Sequence, residues 1–142
     1  MTKAKVSHAR QTLARLREES PELLAVFFER GPLLKGYLDS KPRTCGTPGC
    51  RCARGEKHAA WVLRIPEGRT SQSRSIPEAV FRRLEPLAEE YRRFRHALSR
   101  WRRLVREADQ ALRDIEESRL VDCESELRRS DEKKAKGQSH QG

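Results

Sequence analysis

From Lys3 to about Glu19, apolar side chains recur at Val6, Ala9, Leu13 and Leu16, in the steps of three and four that mark one face of an amphipathic helix. Ser20, followed by Pro21 and Glu22, reads as the start of a second helix, because proline at the first helical position loses no needed hydrogen bond. Leu23, Leu24, Phe27 and Phe28 supply its apolar face, and Gly31 with Pro32 ends it. The period then changes. Residues 33–44 and the run "WVLRI" at 61–65 have the aromatic and branched content of short strands, and "PEG" at 66–68 predicts a turn. The polar segment "RTSQSRSI" at 69–76 suits a third strand about as well as an exposed loop.

The most regular pattern comes last. Pro77 and Glu78 open a long helix in which Leu84, Leu87, Tyr91, Phe94, Leu98, Trp101, Val105, Ala108, Leu112 and Ile115 alternate steps of three and four, the seam of a coiled coil. Two partners could bury so narrow a stripe: a second copy in a homodimer, or the N-terminal helices folded back antiparallel. The pattern alone leaves both open. The helix is expected to reach about Leu127, and residues 128–142, with Ala135 as their one apolar side chain, to form a disordered tail. The fold class is therefore α+β, mainly α, with N-terminal helices (1–30), a small sheet of two or three short strands around a cysteine loop (31–76), a long basic helix (77–127) and a tail (128–142).

Composition limits the core and points to a partner. Only 35% of the 142 residues are hydrophobic and 37% are charged, so a modest core is expected. The net charge of +10 favours a polyanion. Residues 41–76 hold eight basic against two acidic side chains, and "YRRFRHALSRWRRLVR" at 91–106 holds seven arginines and no acid. The longest apolar run, "LLAVFF" at 23–28, is too short for a membrane span, and no secretion signal opens the chain, so no membrane role is expected and the location is predicted to be cytoplasmic.

The charge excess surrounds "CGTPGCRCARGEKH" at 45–58. Cys45, Cys50, Cys52 and His58 supply three sulfurs and one imidazole nitrogen, a complete tetrahedral set for structural Zn²⁺ with no position left for an activated water. Gly46, Pro48 and Gly49 let the backbone turn sharply between the first two ligands, and Arg43, Arg51, Arg54 and Lys57 favour the thiolate form that metals bind. Three clustered cysteines are an odd number for disulfides. Cys123 reads as a lone surface or interface thiol, and His8, His96 and His140 as solvated, with His96 able to add to a phosphate contact.

With the cysteine motif preceded by "GPLLKGYL" and followed by "IPEAVFRRLEPLAEEYRRFRHAL", residues 31–112 resemble a small uncharacterised prokaryotic family of unknown function, often met near transposase and other mobile-element genes. Its motif, C-G-x-P-G-C-x-C-A-x-G-x-x-H, is matched at Cys45, Gly46, Pro48, Gly49, Cys50, Cys52, Ala53, Gly55 and His58. The chain departs from it at Ala59, Ala60 and Trp61, where family members tend to carry Gly-Pro and tyrosines.

The resulting expectation is a zinc-stabilised nucleic-acid-binding accessory protein, on DNA rather than RNA, with little sequence preference. Arg43, Arg51, Arg54 and Lys57 would contact phosphates from the knuckle, and Arg92, Arg95, Arg102, Arg103 and Arg106 from the long helix. Trp61 is the candidate stacking platform, whereas Tyr91, Phe94 and Trp101 fall on the seam. The alternative is a protein-interaction adaptor docking on a transposase or recombinase. No enzyme is expected: the chain has no glycine-rich phosphate loop, and Glu89 with Glu90, or Glu116 with Glu117, sit adjacent on helix and cannot share a proton.

Overall fold

A computed structural model describes residues 2–139. Its elements are helix α1 (Lys3–Phe28), strands β1 (Tyr37–Arg43), β2 (His58–Glu67) and β3 (Thr70–Ile76), and helices α2 (Glu78–Arg119) and α3 (Cys123–Gln138). Among the described residues, no helix is long and apolar enough to cross a membrane. The chain divides into two compact units, Met1–Ser20 with Arg102–Gly142 and Pro21–Trp101, so α1 and α2 each contribute to both.

One N-terminal helix replaces the two expected, because Pro21 lies inside α1 instead of starting a new helix. Proline lacks the N–H that would bond the carbonyl four residues back, here that of Arg17. The Ser20 hydroxyl donates to that same carbonyl at 3.4 Å, so the side chain taken for a helix cap repairs the gap in a continuous helix.

In the Pro21–Trp101 unit, the three strands form an antiparallel sheet in the order β1-β2-β3. Glu67 pairs with Thr70 across a two-residue turn in which Gly68 has φ 56°, the positive value that a II′ hairpin needs at its first central position. The turn thus lies one step beyond the predicted 66–68, and the polar segment is a strand. Pro66 is tolerated in the central strand because β1 pairing stops at Tyr37–Arg64, leaving no partner there for its missing N–H. Trp61 packs on Phe81 of α2 at 4.6 Å between ring centroids, and Phe27 of α1 meets Phe94 and Trp101 edge-on at 5.5 and 6.2 Å. Arg93 grips Glu29 with both terminal guanidinium nitrogens at 2.6 and 2.7 Å, fastening the end of α1 to α2 and holding the Glu29 carboxyl below its ordinary range.

In the other unit, Lys5 pairs with Asp114 and Arg15 with Glu107, so α1 runs antiparallel to α2. The buried side chains are Ala9, Thr12, Leu104, Ala108 and Ala111, with Leu104 wholly enclosed. The predicted seam holds at Ala108, which is buried, but is displaced by one position on either side: Leu104 and Ala111 are buried, while Val105 and Leu112 are 42% and 54% exposed.

α2 ends at Arg119, short of the expected Leu127. Asp122 then caps α3, accepting from the Ser125 backbone N–H at 3.1 Å, so the expected single helix is broken before residue 123 and residues 128–138 are helical where a tail was expected. Every α3 side chain is exposed. Its order comes from the cap and from pairs such as Arg128–Glu124 at helical spacing, not from a core. His140 and the last two residues of the expected tail lie outside the described residues.

Candidate metal centre

The cysteine loop leaves the sheet at Arg43 and returns at His58, and these two residues are the last paired rung of β1 and β2. Cys45 follows β1 by two residues. Thr47 to Cys50 form a turn closed by the Cys50 N–H bonding the Thr47 carbonyl at 3.3 Å, with Pro48 and Gly49 (φ 85°) at its centre. Proline then glycine at these positions is the type II pattern, and it swings Cys50 back toward Cys45. A single 3₁₀ turn over Arg51–Ala53 buries Cys52, only 2% exposed. His58 completes the group from the start of β2.

The sulfurs of Cys45, Cys50 and Cys52 and a His58 ring nitrogen all lie within 4.8 Å of one another. Cys45 Sγ is 3.4 Å from Cys52 Sγ, and Cys50 Sγ is 3.2 Å from His58 Nε2. Metal–sulfur bonds of about 2.3 Å and metal–nitrogen bonds of about 2.0 Å at tetrahedral angles place neighbouring donors roughly 3.6–3.8 Å apart, so the cluster fits one ion. The Cys45 N–H donates to Cys52 Sγ at 3.3 Å, a bond that offsets thiolate charge.

The surroundings divide the thiols. Hydrogen bonds from the Thr47 hydroxyl and backbone N–H, then from Cys52 and Cys50, lower Cys45 to about 6. The Cys52 backbone and then His58 lower Cys50, and the Cys50 thiolate in turn raises His58. At Cys52 the Cys45 N–H favours the thiolate, but burial and the neighbouring sulfurs outweigh it and push the thiol up. A cation at the centre would reverse that balance. Thr47 was not singled out in the sequence, since its role depends on a turn that only the fold displays. Cys123 opens α3, exposed and outside the cluster; His8 and His96 are also exposed and outside it.

Arg43, Arg51, Arg54 and Lys57 are all exposed around this loop, and none makes an ion pair among the described residues. On α2, Arg92 pairs with Glu89, while Arg95 is exposed and without an ion pair among the described residues. Arg102, Arg103 and Arg106 are exposed and likewise without ion pairs on the α2 segment of the other unit. Trp61 is not a free platform: Phe81 covers it and the Arg82 guanidinium lies 5.2 Å from its ring centroid.

A family profile described as "Domain of unknown function (DUF6788)" matches residues 7–86, more than half of the chain. The match holds most of α1, the whole sheet, the Cys/His cluster and the start of α2, and it begins nearer the N-terminus than the resemblance over 31–112 suggests. Neither a curated protein nor a solved structure matches.

Proposed function

The chain belongs to the DUF6788 family, and from that premise we propose that it is a zinc-stabilised nucleic-acid-binding accessory protein with little sequence preference. The observation that carries this reading is the set of exposed, ion-pair-free cations, Arg43, Arg51, Arg54 and Lys57, on a loop whose one acidic residue is Glu56. Most helix arginines with an acid one turn away use it, as Arg82, Arg92 and Arg113 do. The loop cations have no such acid partner among the described residues, and an anionic backbone can take that place with release of its counterions.

Zinc suits the donor set, because three cysteine sulfurs and an imidazole in a closed tetrahedral site match its preferences and leave no open position for catalysis. Its role is structural, bracing the loop that presents the cations. Backbone contacts carry no sequence information, hence the low specificity; DNA is the preferred form, and accessory service to a mobile element is the setting.

Fluorescence anisotropy of the metal-loaded protein on labelled duplex and single-stranded oligonucleotides at two salt concentrations tests this. Binding should weaken steeply with salt, and Arg51→Ala with Arg54→Ala should lower the slope of log K against log salt by roughly 2, alike for all sequences. An unchanged slope in the double variant removes the loop from the interface.

A second reading, an adaptor on a transposase or recombinase, draws on a different observation. Val105 and Leu112 on α2, and Leu120, Val121 and Leu127 beyond it, expose apolar surface that water does not favour. A partner protein or a second copy of the chain in a homodimer would cover it, and failure to bind any oligonucleotide at low salt would favour this reading.

A further inference from the structure

Within the Pro21–Trp101 unit, a cleft of about 370 Å³ is lined by Lys35, Tyr37, Pro66, Tyr91, Arg92 and Arg95. Its walls combine two phenol rings and a proline with three cations, and no carboxylate lines it. Tyr37 is 68% exposed, a large aromatic surface left in water, and Tyr91 is half-buried. The ring contacts of this unit join Phe27, Phe94, Trp101, Trp61 and Phe81, so neither tyrosine stacks on another ring among the described residues. Lys35 and Arg95 make no ion pair among the described residues, and Arg92 keeps Glu89 beside it.

The position between Lys35 and Tyr37 is constrained. A Cβ at Gly36 would lie 3.1 Å from the Arg64 carbonyl oxygen and 3.2 Å from Leu63 Cδ1, tighter than ordinary packing. Glycine therefore lets the chain entering β1 press on β2, which holds Tyr37 opposite Arg64 in the register. The Leu34 N–H, bonded to the Leu87 carbonyl at 3.1 Å, ties the same segment to α2. The cleft is built by three elements fastened to one another.

A bare phosphate would satisfy the cations and leave the rings in water; an apolar ligand would do the reverse. A planar ring joined to an anion satisfies both. We propose that this cleft binds one nucleotide, with its base against Tyr37 and Tyr91 and its phosphate met by Lys35, Arg92 and Arg95. The shared chemistry is base plus phosphate, from a free mononucleotide or from a nucleotide of a single strand. The strand as source rests on the nucleic-acid reading above. A duplex, whose bases are already stacked, would gain little from the rings.

The test uses full-length, metal-loaded protein, with anisotropy on a labelled thymidine dodecanucleotide and on a duplex, and equilibrium dialysis against radiolabelled AMP. Tyr37→Ala should weaken single-strand binding roughly 5- to 100-fold, while Tyr37→Phe, which keeps the ring, stays close to wild type and duplex binding is unaffected. Arg95→Gln should reduce the single-strand salt slope by about 0.7. Matching circular dichroism and metal content verify that the exposed substitutions leave the fold intact.

Oligonucleotide binding that neither Tyr37→Ala nor Arg95→Gln alters overturns the cleft and spares the general reading. AMP binding that depends on Tyr37, without oligonucleotide binding, supports the cleft with a free nucleotide as its ligand and overturns the strand. No binding of either probe overturns both.

Discussion

At Cys45, Cys50 and Cys52, three sulfurs of one loop meet three different surroundings, and the differences bear on how the cluster could hold an ion. Cys45 and Cys50 are readied as thiolates by the bonds they accept, whereas Cys52, buried at 2% exposure, is pushed toward the neutral thiol. Removing this enclosed ligand should abolish stoichiometric metal, so Cys52→Ser is expected to purify with far less zinc than wild type. Cys123→Ser should keep one ion per chain, since its thiol is exposed at the start of α3. Elemental analysis of the two variants decides, and equal metal in both would remove Cys52 from the site. The cluster of Cys45, Cys50, Cys52 and His58 was legible because sulfur and imidazole at such short spacing have few uses other than holding a metal. Thr47 was not, because a hydroxyl beside a thiol acquires its role from the Pro48–Gly49 turn. Trp61 misled for a related reason: a tryptophan beside a basic segment resembles a stacking platform until Phe81 is found against it.

For the helices, the burial pattern rather than the apolar pattern decides what a substitution does. Leu104 is fully enclosed and Leu112 is 54% exposed, although only Leu112 lies on the stripe read from sequence. Leu104→Ala should cost about 3 kcal/mol in chemical denaturation, by lost transfer and a residual cavity, and Leu112→Ala under about 1 kcal/mol. Equal losses at the two positions would show that a second copy covers the outer stripe. Ala9 and Ala108 lay on the faces read from sequence and are buried, but Ala111 was passed over because alanine weighs little in a periodicity count beside the larger Leu112. The break before residue 123 and the helix over 128–138 were hidden for another reason, since α3 has no apolar face to read; its signal was Asp122 ahead of Glu124 and Glu126. The bonds from Ser125 hold the Asp122 carboxyl below its ordinary value of 3.8, so its contribution is complete above that pH and is lost as pH falls through the lowered value. Helicity of α3, followed by NMR at the Ser125 amide, should fall in that acid window. Asp122→Asn, which caps without titrating, should show less of the acid loss, and Asp122→Ala should fray already at neutral pH.

Across the whole molecule, zinc and helix are expected to separate. A chelator should open the loop and loosen the sheet over residues 37–76, raising hydrogen exchange there, while the far-ultraviolet signal of the helices stays largely intact; their burial at Leu104 and Ala108 uses no ligand residue. Loss of helical signal in step with zinc would contradict this. Within the sheet, the strands are not held alike. β2 and β3 are joined through a two-residue turn, but β1 reaches β2 only across the whole ligand loop, and its last rung pairs Arg43 with His58. The fourth member of the cluster, His58, is therefore also the first residue of the central strand. If the cluster takes zinc as proposed, capturing the ion and zipping β1 onto β2 are expected to be one cooperative event, so a zinc titration followed by thiolate absorbance and one followed by β1 amide protection should trace a single curve with a common midpoint.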